Sequence, residues 1–192
     1  MTDIHKNIQN LIGKGKQAKV YSSSIKNIVI KVIPKKKYNK KEYFYAKKIG
    51  DMGLSPKIYN KKIVDNYVLL YMQKIDCTLL DWVQKKRTTK EYDQVYRKVI
   101  KLVQKLHSHN IQHGDIHVGN IGRIKNKWVL IDFGFTHKKG ESSGQKFLSK
   151  ETKKIRMIPE TDNKGYEEYF KNILQPYKKL PTLLKIHLWR IS

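Results

Sequence analysis

A chain of 192 residues has room for one ordinary domain or two small lobes, and it buries enough surface to fold without disulfides or metal. Its single cysteine, Cys77, excludes a disulfide framework, and no apolar run approaches the roughly 20 residues of a membrane span. Forty-one Lys and Arg against sixteen Asp and Glu leave a net charge of +25, a field that attracts polyanions such as nucleic acid or acidic protein segments.

The first third reads as strands. Val20-Tyr21 and Asn27 to Ile33 are short β-branched runs separated by Ser22-Ser23-Ser24 and ended by Pro34, which predicts an antiparallel hairpin. Tyr43, Ala46 and Ile49 recur at helical spacing within Asn39 to Ile49, and Gly53 and Pro56 stop that helix. A second strand pair is predicted at Lys57 to Val64 and Tyr67 to Met72, turning at Asp65-Asn66.

After Cys77 the pattern becomes helical. Leu79, Leu80 and Val83 form a short amphipathic piece, and Tyr92, Val95, Tyr96, Val99, Leu102, Val103 and Leu106 keep to one face of a helix of about five turns. Two short apolar strands follow, Ile121 to Ile124 and Trp128 to Ile131. His137 to Lys154, rich in Lys, Gly and Ser, reads as a mobile loop, and Tyr166 to Leu174 and Leu180 to Trp189 as two closing helices. Sheet first and helices after imply α+β architecture with two unlike lobes, residues 1–74 and 75–192.

The chemistry concentrates in His113-Gly114-Asp115-Ile116-His117-Val118-Gly119-Asn120 and in Val129-Leu130-Ile131-Asp132-Phe133-Gly134. If the two short strands pair, Asn120 and Asp132 meet at one end of a hairpin as hard oxygen ligands, the kind Mg²⁺ takes while it also holds substrate phosphates. Asp115 is then placed to orient a hydroxyl and accept its proton.

These residues resemble the protein-kinase-like superfamily: the first segment its His-x-Asp-x-x-x-x-Asn catalytic loop, Asp132-Phe133-Gly134 its metal-binding tripeptide. Gly13, Lys14, Gly15 and Val20, within Ile12 to Tyr21, look like the Gly-rich loop over the triphosphate, with Ala18 where a third glycine usually sits. Lys31 matches the strand lysine that holds the α- and β-phosphates. Glu42, the only carboxylate between Lys31 and Asp51, is its natural ion-pair partner. Met72, Gln73 and Lys74 look like the hinge that offers backbone groups to adenine.

Gly114 stands where most kinases carry arginine, which argues against control by a phosphorylated activation loop. His-Gly-Asp is the form of atypical relatives: the small kinase of the KEOPS complex, the RIO kinases, and the aminoglycoside and choline phosphotransferases. His113 reads as a packing and hydrogen-bonding residue, His117 as a contact within the loop. Ile158-Pro159-Glu160 resembles the close of an activation segment, and the thirty-two residues after it imply a truncated, mainly α-helical C-lobe below a small antiparallel β N-lobe with one helix.

The resemblance implies a minimal serine/threonine protein kinase using ATP and Mg²⁺, its protein substrate acidic by charge complementarity. A small-molecule kinase, or a nucleotide-binding scaffold that holds nucleic acid, are the alternatives. Only five of the cations are arginine, which disfavours sequence-specific base reading. The Lys-, Ile-, Asn- and Tyr-rich composition fits an A/T-rich genome such as that of a large DNA virus, and the expected location is intracellular, the cytoplasm, of the host if the source is viral.

Overall fold

The structure, a computed structural model, describes residues 7–15, 17–85 and 88–138. The chain divides into two compact units, Met1–Ile75 and Asp76–Ser192.

In the first unit, β1 (Ile8–Lys14), β2 (Lys19–Ser23), β3 (Ile28–Pro34), β4 (Ile58–Val64) and β5 (Tyr67–Gln73) form one antiparallel sheet in the order β1-β2-β3-β5-β4. β1 is an addition to the strands read from the sequence. Most of its side chains are exposed, so it carries little of the apolar alternation that marks a strand. Asp65-Asn66 is the two-residue turn between β4 and β5, with Asp65 at φ 47°, a left-handed conformation that Asp tolerates better than most residues.

Alternation in β3 and β5 supplies two apolar faces. Ile30, Leu69 and Tyr71 pack on one; Ile33, Val68 and Leu70 pack on the other with Tyr38 and Tyr43. Lys31 pairs across the ladder with Leu70, which places the lysine on the face that carries Tyr43. Tyr43 belongs to helix α1 (Lys40–Asp51), which buries Tyr45 and Ile49. Asn39 caps α1, its side-chain oxygen accepting from the N–H groups of Lys41 and Glu42, so the cap and the Glu42 position are set by the same contact.

The second unit contains β6 (Cys77–Thr78), α2 (Leu79–Val83), α3 (Thr89–His107), β7 (Ile111–Gln112), β8 (Ile121–Ile124), β9 (Lys127–Leu130) and β10 (His137–Lys138). β6, β8 and β9 make a three-stranded antiparallel sheet, and β7 pairs with β10. The mobile loop expected from His137 therefore begins as a strand; its remainder, the Ile158-Pro159-Glu160 segment and the two closing helices lie outside the described residues.

Thr78 caps α2 and Thr88 caps α3, each in a reciprocal capping box, with Asp81 and Glu91 respectively. The α3 stripe of Val95, Val99, Leu102, Val103 and Leu106 is buried, as its period requires, and Trp82 meets Trp128 edge-on at 6.0 Å between ring centroids. Asp76 ties the start of this unit to the β8–β9 turn: its N–H donates to the Arg123 carbonyl (2.7 Å) and its Oδ2 accepts from the Lys125 N–H (2.6 Å). No helix among the described residues is long and apolar enough to cross a membrane.

Candidate active site

Among the candidate residues of the first unit, Lys31 on β3 lies opposite Val20 in the ladder and meets Glu42. Its Nζ donates to Glu42 Oε1 at 2.9 Å, both side chains being about four-fifths buried. Glu42 is the third residue of α1, where a helix carboxylate commonly reaches back to its own cap; here it reaches across to β3 instead. The pair thereby fixes both the helix and the ammonium.

β1 and β2 form the hairpin that carries Gly13, Lys14, Gly15 and Val20. The Gly15 N–H donates to the Ala18 carbonyl at 2.9 Å to close its tip, so Gly13 and Lys14 belong to a strand and only Gly15 to the turn. A Cβ at Gly13 would meet nothing closer than Val20 at 3.7 Å, and one at Gly15 nothing closer than the Ala18 carbonyl at 3.7 Å. The chain's own packing tolerates side chains at both positions, so these glycines are not explained by folding.

Met72 and Gln73 end β5. The Gln73 N–H donates to the Lys57 carbonyl (2.8 Å) and the Lys74 N–H to the Asn27 carbonyl (2.9 Å). The backbone donors of Gln73 and Lys74 are thus already used within the sheet, and the first donor past them is the N–H of Ile75.

In the second unit, β8 and β9 pair as the sequence requires, with Ile121 opposite Leu130. The ladder continues past them through the Ile131 N–H to the Asn120 carbonyl (2.9 Å), which brings the strand leading to Asp132 alongside the loop that ends at Asn120. Asn120 is buried, and its Nδ2 donates to both the Asp115 carbonyl (2.9 Å) and Asp115 Oδ2 (3.1 Å). Commitment of the amide nitrogen to Asp115 leaves the amide oxygen as the end available to a cation.

Asp115 Oδ2 thus has a partner, whereas Oδ1 is buried and has none. A buried carboxylate oxygen without a donor costs free energy, and such an atom marks a place where another group is received. His117 flanks the same carboxylate. Its Nδ1 accepts from the Gly119 N–H at 3.1 Å, which leaves the proton on Nε2, and Nε2 lies 3.8 Å from Asp115 Oδ2.

His113 is fully buried; its Nδ1 faces the Asp115 N–H (3.4 Å), its Nε2 the Ile131 carbonyl (3.1 Å), and its ring lies 5.1 Å from that of Phe133. It therefore bolts the loop to the segment before Asp132. Asp132 itself is exposed, at φ 67°, with Oδ1 turned back to the Gly134 N–H at 3.4 Å. A non-glycine residue held left-handed beside an apolar strand stores strain of the kind that recurs at ligand-binding positions.

Sequence reasoning passed over the reason for Gly114. At φ 80°, a Cβ there would lie 2.4 Å from the Phe135 carbonyl oxygen. An arginine at this position is excluded by the backbone, not merely absent. The signal lay in the glycine, but its cause is the turn at Gly134-Phe135, whose close approach no local pattern reveals.

Burial pushes the Cys77 thiol above its ordinary range, with Arg123 opposing the shift. At neutral pH the sulfur stays protonated, which argues against nucleophilic cysteine chemistry. Among the described residues no cluster of three or more His, Cys, Asp or Glu is placed to hold a metal by itself. Asn120 and Asp132 offer one amide oxygen and one carboxylate, a donor set that suits Mg²⁺ only where substrate phosphates and water complete it.

Comparison with known proteins places the chain among kinase-like sequences. The RIO domain profile matches residues 12–165, most of the chain. The mouse (Mus musculus) dual specificity protein kinase TTK is 24% identical over 83 residues, 42% of this chain and 10% of that protein. The chain spans about a tenth of the length of that relative.

Proposed function

The chain belongs to the RIO domain family, atypical kinase-like enzymes that act with ATP, and from that premise we propose that it transfers the γ-phosphoryl group of Mg-ATP to serine or threonine hydroxyls of a protein. The observation that carries this reading is the unpartnered, buried Oδ1 of Asp115. An incoming hydroxyl donates its hydrogen bond to Oδ1 while Asn120 holds Oδ2, so the carboxylate does not turn away. As the hydroxyl oxygen bonds to the γ-phosphorus, its proton passes to Asp115, the bond from that phosphorus to the β–γ bridging oxygen breaks, and ADP departs with the electron pair.

Lys31 neutralises the α- and β-phosphates, and Glu42 keeps its ammonium in place. Gly13 and Gly15 let the β1–β2 hairpin approach the triphosphate closely, a use consistent with their lack of any packing requirement. For adenine, the committed N–H groups of Gln73 and Lys74 leave the Gln73 carbonyl and the Ile75 N–H as the hydrogen-bonding edge. Asn120 Oδ1 and the Asp132 carboxylate would hold Mg²⁺, which when bound offsets the charge developing on the phosphates. The positive field of the chain favours acceptor hydroxyls flanked by Asp and Glu.

The test is phosphate transfer from radiolabelled ATP to casein. Asp115→Asn is expected to lower the rate about 10²- to 10⁴-fold, the usual worth of a positioned base, with binding of a fluorescent ATP analogue retained. Chelation of Mg²⁺ should stop transfer in the parent protein. Turnover with amino sugars or choline, and none with any protein acceptor, would reassign the substrate class.

A further inference from the structure

The outer side of α1 carries a feature that phosphoryl transfer does not use. Tyr43, Phe44, Lys47, Lys48, Asp51 and Met52 line a cavity of about 530 Å³, within the size range of ligand-binding clefts. Phe44 is 56% exposed, although α1 buries Tyr45 and Ile49 on its inner side. Its ring is braced edge-on by Tyr45 (5.4 Å between centroids) and lies 6.0 Å from the Lys48 ammonium. Phe44 and the cavity beside it together make a contiguous exposed apolar patch, and a patch of this kind, rather than a single exposed ring, is a surface suited to a partner.

Charge identifies the occupant. Residues 35–62 carry ten lysines, no arginine and two acids. Both acids are engaged within the chain, Glu42 by Lys31 at 2.9 Å and Asp51 by Lys47 at 3.0 Å. A further ammonium, that of Lys61, stands 4.6 Å from the centroid of Tyr43, one of the lining rings. Lys47 and Lys48 thus line the apolar floor, Lys61 stands over one of its rings, and this stretch has no uncommitted carboxylate.

We propose that this face of α1 docks an acidic protein segment, which places one or two large apolar side chains in the cavity and its carboxylates against Lys48 and Lys61. A nucleic acid fits less well: the lining is concave and apolar, and no guanidinium is present in this stretch to grip phosphate or base edges. The proposal stands on the surface of α1 alone and does not require the catalytic reading.

The experiment is fluorescence anisotropy with a labelled peptide of Asp and Glu flanking adjacent Trp and Leu, a control with Gly replacing Trp and Leu, and a labelled single-stranded RNA. The parent protein should bind the first peptide and not the control. Phe44→Ala and Lys48→Glu, both exposed positions, should each weaken binding about tenfold or more with unchanged thermal midpoints. A peptide whose acids are replaced by lysine should regain affinity for Lys48→Glu, which a merely unfolded variant would not give.

Peptide binding indifferent to both substitutions would overturn the proposal, as would RNA binding lost in Phe44→Ala with no peptide binding at all. Glu42→Gln separates the two readings. If that variant loses phosphate transfer and keeps the peptide, docking stands whatever becomes of the catalytic assignment.

Discussion

Gly114 and Glu42 illustrate how much of this protein is decided by single side chains. At Gly114 the backbone is left-handed and the Phe135 carbonyl passes 2.4 Å from where a Cβ would sit, so Gly114→Ala incurs both a conformational and a steric cost. We expect it to destabilise the fold by about 3 kcal/mol or more, measurable as a lowered midpoint in urea, where an ordinary surface glycine would give a tenth of that effect or less. Glu42→Gln should behave in the opposite way. The isosteric amide keeps an oxygen acceptor for the Lys31 ammonium, a quarter of whose side chain is open to water, so stability should fall by only about 1 kcal/mol. If Lys31 holds the ATP phosphates as proposed, loss of one charge-assisted contact to it should lower kcat/KM for ATP by about tenfold to a hundredfold, and steady-state kinetics over a range of ATP concentrations measure it.

Among the elements, the helices owe their starting points to caps visible as residue types. Thr88 and Glu91 exchange hydrogen bonds at the start of α3, with the Glu91 N–H donating to Thr88 Oγ1 at 3.2 Å and the Thr88 N–H donating to Glu91 Oε2 at 2.8 Å. Thr88→Ala removes the acceptor for the first of these and should cost about 1 kcal/mol, read from chemical denaturation. Because α3 reaches the loop of Asp115 through Ser108 to Asn110 and β7, its first turn lies a full helix length from Asp115. The same variant should therefore leave the rate of phosphate transfer unchanged. Strands are set differently. β8 and β9 are short, yet their register is tied through the Asp76 carboxylate on the Lys125 N–H and the Ile131 N–H on the Asn120 carbonyl, contacts beyond either strand.

For the whole molecule the governing quantity is the net charge of +25. It predicts an association with single-stranded RNA or other polyanions that is dominated by counterion release, so the logarithm of the affinity should fall steeply and linearly with the logarithm of salt concentration. Filter binding across a salt series checks this. A shallow slope, or preference for one base sequence, would contradict a surface whose cations are nearly all lysine. At saturating acceptor, kcat for phosphate transfer should depend less on salt, because the Lys31–Glu42 pair is mostly removed from solvent and screening acts weakly there.

What could be learned from residue order alone was whatever depends on short covalent separations. The five-residue interval from Asp115 to Asn120, the apolar run before Asp132 and the period of Val95 to Leu106 are all local, and they disclosed the loop, the strand pair and the long helix. The lone acid among lysines also pointed from Glu42 to Lys31, because elimination left no other candidate. Tertiary contacts alone decided the rest. β1 becomes a strand because β2 offers it an edge, not because its own pattern demands one. The N–H groups of Gln73 and Lys74 are consumed by Lys57 and Asn27, far from them in the chain, which leaves the Ile75 N–H as the first donor beyond β5. Gly114 is obligatory because Phe135 crosses it, and Asp115 keeps one oxygen unpaired because Asn120 takes only the other. Whether across a long loop, as at Gly114 and Phe135, or within one, as at Asn120 and Asp115, the closeness of such approaches is set by packing, which a periodicity or a spacing does not encode.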